Sequence, residues 1–337
     1  MSIIRPDLPL IYLHRHLDGS VRLETILEVG GKYNLPLPAK DLEGLRPYTQ
    51  VTTPQPDILA FFAKFEWQVG ILVNYDVCHQ VAYENVQDAQ REGIDYIELR
   101  FSPMFMAEPH GLYPEGIVEA VVDGVRAGQR DFGVQTNLIG IISRTYGPKT
   151  GQQELDALLT HRDQLVALDL AGDEKNFPGG WFVNHFKQAW DVGWQVTVHA
   201  GEAGGSQSIW QAIRELRATR IGHAVRAVDD PNLMDYLAAN GIGVETNLTS
   251  NVQTSTVPSY ARHPLKTFLK HGILATINTD DPGISAIDLP FEYEVAVERA
   301  GLSEEQAAQA QQNALEIAFL TPDEKEALRE KKRQHHP

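Results

Sequence analysis

The sequence predicts an α/β fold of the (β/α)8 or TIM barrel type, on three observations. Runs rich in Val, Ile and Leu alternate with helical stretches eight times along the chain, the order expected of parallel strands covered by helices. Most of these runs lack a clean two-residue alternation, as expected of strands buried on both faces. Five short polar clusters close five of the runs, and in a parallel barrel the C-terminal ends of different strands converge on one site.

The first run, 11–16, carries His14-Arg15-His16 at its end. Residues 20–93 then depart from the simple repeat: apart from a last helix at 83–93 they form a helical insertion, 20–82. It includes a helix at 56–72 with Ile58, Leu59, Phe61, Phe62 and Phe65 on one apolar face. An insertion after the first strand emerges at the face where barrel active sites lie, so this helix either lids the site or packs the insertion onto the barrel. The second strand, 96–101, leads to a helix at 114–133 that opens on Pro and closes on Gly, the usual start and stop signals. Strand 135–142 and helix 152–159 follow. Strand 165–170 runs into Asp169-Leu170-Ala171-Gly172, ahead of helix 181–193, and strand 195–199 runs into His199-Ala200-Gly201-Glu202, ahead of helix 206–216. Strand 220–223 ends on Gly222-His223, before helix 231–240; strand 243–246 precedes helix 264–272; strand 274–278 opens into Thr279-Asp280-Asp281. With no internal repeat or linker, residues 1–337 read as one domain, and the charged run at Glu330–Arg333 as part of a frayed tail, 326–337.

Composition narrows the partners. Of 337 residues, 42% are hydrophobic and 22% charged, enough apolar material for a sizeable core. A net charge of -16 argues against nucleic acid and anionic membranes, whose binding rests on Lys and Arg. The single cysteine, Cys78, suits a reducing, cytoplasmic setting. The first ten residues hold Arg5, Asp7 and two prolines where a signal peptide needs an apolar stretch.

The clusters imply metal chemistry. On a strand, side chains alternate with period two, so His14 and His16 point to the same face. Neutral imidazoles with a carboxylate suit zinc and leave one position for water, which makes His14, His16, His199 and Asp280 the candidate ligands. Glu202, three residues past His199, is placed beside the metal as a general acid or base. His223 and Asp281 remain to orient the attacking hydroxide or to bind substrate. Gly172 offers an amide with no side chain in the way of a ligand, although taken alone it reads as a turn glycine.

His14-Arg15-His16-Leu17-Asp18-Gly19-Ser20, Leu170-Ala171-Gly172-Asp173-Glu174, His199-Ala200-Gly201-Glu202, Ile221-Gly222-His223, Ser250-Asn251 and Asn278-Thr279-Asp280-Asp281-Pro282 together resemble the adenosine deaminase family of the amidohydrolase superfamily, in family order from about residue 10 to 325. The resemblance implies one zinc on a (β/α)8 barrel and hydrolysis of adenosine and deoxyadenosine to inosine and deoxyinosine with release of ammonia, a purine salvage reaction on a small-molecule nucleoside. It makes His14, His16, His199 and Asp280 the zinc ligands. Glu202 would protonate the purine N1, and His223 would position the hydroxide that adds to C6. Asp281 would bond N7, Gly172 would donate to N3, and Asp18 with His16 would meet the ribose hydroxyls. Phe61, Phe62 and Phe65 would belong to the helix closing over the nucleoside. Two positions depart from the family pattern: Ala224 stands where a Gly usually follows the strand-six histidine, and Glu245-Thr246-Asn247 replaces Glu-Val-Cys or Glu-Ser-Cys.

Other readings are a deaminase of adenine or another modified nucleoside, a binuclear hydrolase, and an inactive purine-binding regulator. The Arg100-Phe101-Ser102-Pro103 segment and Asp18 look more like the nucleoside enzymes. A binuclear site needs a bridging Lys or Glu at the end of strand four, where the chain has Asp169-Leu170-Ala171-Gly172. An inactive regulator predicts a missing acid or ligand, and none is missing.

Overall fold

Each apolar run is a strand with its residues nearly all buried, and the eight pair in parallel in chain order. A computed structural model describes residues 3–51, 53–56 and 58–335. The strands are β1 (Ile11–His16), β2 (Tyr96–Phe101), β3 (Gln135–Ser143), β4 (Leu165–Ala171), β5 (Gln195–Ala200), β6 (Arg220–His223), β7 (Gly243–Thr246) and β8 (Ala275–Ile277). Four match the expected bounds, and β3, β4 and β5 each run one residue further. β8 is shorter than 274–278 because Asn278 turns its side chain into the ladder: its Oδ1 accepts from the N–H groups of Leu13, at 3.0 Å, and His14, at 3.2 Å. With the bridge between Arg15 and Asp280, this joins β8 back to β1. The first and last polar clusters of the barrel are thereby neighbours.

Between β1 and β2 lie the helices Leu23–Lys32, Leu42–Thr49, Ile58–Phe62, Phe65–Val69 and Tyr75–Arg91. The single helix expected at 56–72 is therefore two short ones, joined by a turn that Lys64 N closes onto Phe61 O. Tertiary anchors set the break: Lys64 Nζ reaches Pro47 O at 2.6 Å, and the buried Gln68 amide oxygen accepts from Val21 N at 2.8 Å. Asp57 and the side chains of Ile58 and Leu59 lie outside the described residues. The helix expected at 83–93 begins eight residues earlier, capped by Asn74, whose side chain accepts from Val77 N.

The tail expected to fray from 326 is instead most of a helix, Pro322–His335. Thr321 and Glu324 form reciprocal bonds at its start, the capping-box arrangement. Leu328 is buried with Ile11, Leu13 and Tyr96 beneath the barrel, and Lys332 pairs with Asp95 at 2.8 Å. Residues 336 and 337 lie outside the described residues. Among the described residues, no helix is long and apolar enough to cross a membrane.

Candidate active site

The polar clusters meet at the C-terminal mouth of the barrel, around a cavity of about 220 Å³. His14 and His16 both face inward from β1, while Arg15 between them points away to Asn85 and Glu92. The Nδ1 of His14 donates to Glu245 at 2.7 Å, and the Nδ1 of His199 donates to Asp169 at 3.1 Å. Each bond fixes the tautomer in which Nε2 carries the lone pair, toward Asp280 for His14 and toward His16 for His199. Arg100 holds both carboxylates, through Asp169 at 2.8 Å and Glu245 at 2.7 Å. Burial alone would raise the Glu245 carboxyl, but Arg100 and Arg220 hold it well below the usual carboxylate range.

The Nε2 of His16 stands 3.1 Å from that of His199 and 3.3 Å from Asp280 Oδ1, which is 3.0 Å from His14 Nε2. Tetrahedral ligands at zinc-like bond lengths are about 3.4 Å apart, so these contacts have the scale of a metal's coordination edges. With its proton on Nδ1, His14 Nε2 faces Asp280 Oδ1 acceptor to acceptor at 3.0 Å, and among the described residues no donor meets it, as suits a ligand nitrogen. Burial pushes His199 down to about 3, keeping it neutral. Burial also opposes charge on His16, yet the neighbouring acidic groups pull it up to about 9: they favour a positive charge at this point, which a bound cation can supply in place of the imidazole's proton. Ser250 Oγ donates to Asp280 Oδ2 at 2.7 Å and fixes the carboxylate.

His223 lies near the same point: its ligand atom, with those of His14, His199 and Asp280, falls within a 4.8 Å group. Its tautomer separates it from the ligands. Asn251 Nδ2 donates to His223 Nδ1 at 3.0 Å, and the Asn251 amide is itself oriented by His263 at 3.1 Å. A neutral His223 then carries its proton on Nε2, facing Glu202 at 3.6 Å and Asp280 at 3.7 Å. Asn247, one of the two departures, adds a second amide 3.3 Å from His223 Nδ1. Ala224, the other, sits at φ 52, ψ 21 in the left-handed region, which costs a residue with a Cβ about 1 kcal/mol.

Glu202 and Asp281 are buried carboxyls on the cavity wall. Burial, then the charges of Asp280 and Glu174, pushes Glu202 well above the ordinary range, the protonated state a general acid needs. Burial and Asp280 raise Asp281 likewise, and its Oδ1 has no partner among the described residues. Gly19 makes room for it, since a Cβ there would lie 1.9 Å from Asp281 Oδ1. Gly172 lines the cavity at φ 102, and a Cβ on it would meet Thr145 Oγ1 at 2.5 Å. Asp18 lines the opposite part, 3.7 Å from His16 Nδ1, and accepts from Ser102 N at 3.2 Å.

Phe61, Phe62 and Phe65 form an apolar wall, joined by Phe105, whose ring centroid is 5.5 Å from that of Phe65. Thr145 and Tyr146, also on the wall, lie in a short helical turn after β3, where the polar run Ser143-Arg144-Thr145-Tyr146 was a signal that sequence reasoning missed. The Arg100, Asp169 and Glu245 network also went unassigned, although its signal was present as charged residues inside apolar strands.

Behind Asp18, Ser102 Oγ donates to the buried Glu154 at 2.6 Å, and Ser143 N donates to the same carboxyl at 2.8 Å. Burial pushes Glu154 up to about 8 despite these bonds. An unfolded glutamate releases its proton near ~4.3, so between the two values the native state holds the extra proton and stability falls as pH rises. Glu154→Gln removes this titration while matching the neutral shape. Its melting temperature should gain on the parent's between about pH 5 and pH 8; a difference constant across that range would contradict the buried neutral carboxyl.

Residues 9–334 match the family described as adenosine deaminase. The chain is 60% identical over 326 residues to an adenosine deaminase of Vibrio cholerae, covering 97% of this chain and 98% of that protein. Among solved structures it is similar to an adenine deaminase of Arthrobacter aurescens, with TM-score 0.90 at 24% identity, covering 97% of this chain and 99% of that one. It is also similar to an N6-methyl-AMP deaminase of Arabidopsis thaliana, with TM-score 0.82 at 25% identity and 98% of each chain covered.

Proposed function

Because the chain belongs to the adenosine deaminase family, we propose that His14, His16, His199 and Asp280 hold one zinc ion and that Glu202, His223 and Asp281 carry the proton and charge movements of the reaction. The protein is a hydrolase that converts adenosine to inosine with release of ammonia. The observation that carries the residue assignment is the buried Nε2 of His14, which faces Asp280 Oδ1 at 3.0 Å and meets no donor among the described residues. When bound, zinc supplies water activation, lowering the pKa of a water it carries to about 7.

The remaining steps fall to the chain's own side chains. Glu202, kept protonated by burial, donates to the purine N1 and makes C6 electrophilic. The Nε2 proton of His223 stabilises charge on the oxygen that adds to C6. Asp281, its carboxyl kept protonated by burial and by the charge of Asp280, donates a hydrogen bond to N7. The Gly172 amide donates to N3. With its Nε2 committed to the metal, His16 presents Nδ1 beside Asp18, and the pair bonds the ribose hydroxyls of adenosine or deoxyadenosine. Phe61, Phe62 and Phe65 cover the base and exclude water. The free, buried Cys78 supports a reducing, cytoplasmic location.

Elemental analysis should find one zinc per chain, and adenosine turnover should vanish on exhaustive chelation and return with one equivalent of zinc. Two metals per chain, or full turnover after chelation, would overturn the assignment.

A further inference from the structure

Glu174 is buried two residues beyond Gly172, and all four hydrogen bonds to its carboxylate come from the backbone of the loop after β5. Its Oε1 accepts from Gly201 N at 2.5 Å, and its Oε2 accepts from the N–H groups of Glu202, Ala203 and Gly204 at 3.1, 2.8 and 2.8 Å. That loop has neither helix nor strand of its own. Glycines at 201, 204 and 205 give it little side-chain packing and wide conformational freedom. A carboxylate accepting several N–H groups makes charge-assisted bonds, about twice as strong as neutral ones. Gly204 also has to be bare, because a Cβ there would meet Glu174 Oε1 at 2.7 Å.

We infer that Glu174 is a positioning residue for the reaction: its carboxylate clamps the Gly201–Gly204 backbone and so sets Glu202 in register with the Gly172 amide. The inference rests on the proposed roles of Glu202 at N1 and Gly172 at N3. Those two nitrogens flank one carbon of the same purine ring, so their donors must keep a fixed separation. The donors come from loops after two different strands; Arg144 Nη2 joins the strand ends themselves, donating to Leu170 O at 2.9 Å and His199 O at 2.7 Å, and Glu174 ties the loop of one to the loop of the other. On its far side, the Gly172 loop is anchored by Asp173 N, which donates to Thr145 Oγ1 at 3.0 Å. Misplacing a reacting group by about 1 Å can cost 10²-fold in rate.

The test compares the zinc-loaded parent with Glu174→Ala, Glu174→Gln, Glu202→Gln and the Glu174→Ala/Glu202→Gln double variant. Glu174→Ala should keep its metal, lose about 10- to 100-fold in kcat for adenosine with KM within a few-fold, and show faster amide hydrogen exchange at residues 201–204 than elsewhere in the barrel. Because both residues act through one proton donor, the double variant should be little slower than Glu202→Gln alone. Glu174→Gln, which keeps an acceptor for three of the bonds but sets an NH2 group against Gly201 N–H, should fall between parent and Glu174→Ala. If the alanine variant does not fold, the glutamine variant takes its place in every comparison. Full kcat in a Glu174 variant beside an inactive Glu202→Gln overturns the clamp alone, as do losses that multiply in the double variant. An active Glu202→Gln instead overturns the underlying role of Glu202.

Discussion

Glu202→Gln keeps its metal and loses about 10²- to 10⁴-fold of its kcat for adenosine, the range general acid-base groups contribute. The amide preserves the shape of the side chain, and its oxygen can still accept from Asn251 Nδ2, which lies 3.4 Å from Glu202 Oε1 in the parent. What it lacks is an acidic proton for N1, and without protonation C6 stays a poor electrophile. None of the proposed zinc ligands is touched, so metal content and fold should be unchanged. Single-turnover kinetics with metal analysis on the same preparation checks both halves. A variant within a few-fold of the parent would make Glu202 structural.

His14→Ala should lose its zinc on dialysis and with it nearly all activity, which metal analysis and turnover on the same sample would establish. The ring it removes is the most enclosed of the four proposed ligands, held by Glu245 on one side and meeting Asp280 on the other. Alanine also strips the Glu245 carboxylate of a partner deep in the barrel, where an uncompensated charge is costly. Replacing a support instead of a ligand should be milder: Asp169→Asn leaves the His199 ring in place but weakens its orientation, and such partners are worth about 10- to 100-fold in metal affinity. Equal metal retention by His14→Ala and the parent under chelator competition would exclude His14 from the ligand set.

The barrel was legible because its strands are apolar runs of β-branched residues bounded by Gly, Pro and polar clusters, and because chirality and connection rules leave few ways to assemble them. His14, His16, His199, His223 and Asp280 could be grouped because each sits at a strand end, and strand ends converge whatever the loops do. What escaped depends on tertiary contacts. Arg100 and Glu245 look like isolated charges in apolar strands, and Asp169 like one more member of a strand-end cluster, until the closed barrel brings them within hydrogen-bond reach. Phe105, Thr145 and Tyr146 become cavity wall through loop paths that no periodicity records. The break after Phe62 has no proline or glycine to announce it. The caps at Asn74 and Thr321 are local signals for two helix starts that the expected helix from 83 and the expected frayed tail from 326 passed over.

The nucleoside specificity is most directly tested by steady-state kinetics with adenosine, adenine and AMP on one zinc-loaded preparation. Asp18 is buried beside His16 and Ser102, and with only the base bound its carboxylate lacks the ribose hydroxyl that would satisfy it. A 5′-phosphate meets the same carboxylate as a like charge, in a chain of net charge -16, and such juxtaposition costs several kcal/mol. Adenosine should therefore have a kcat/KM at least about 100-fold above AMP and well above adenine, and Asp18→Ala should narrow the gap to adenine. A higher kcat/KM for adenine or AMP than for adenosine would contradict the nucleoside assignment.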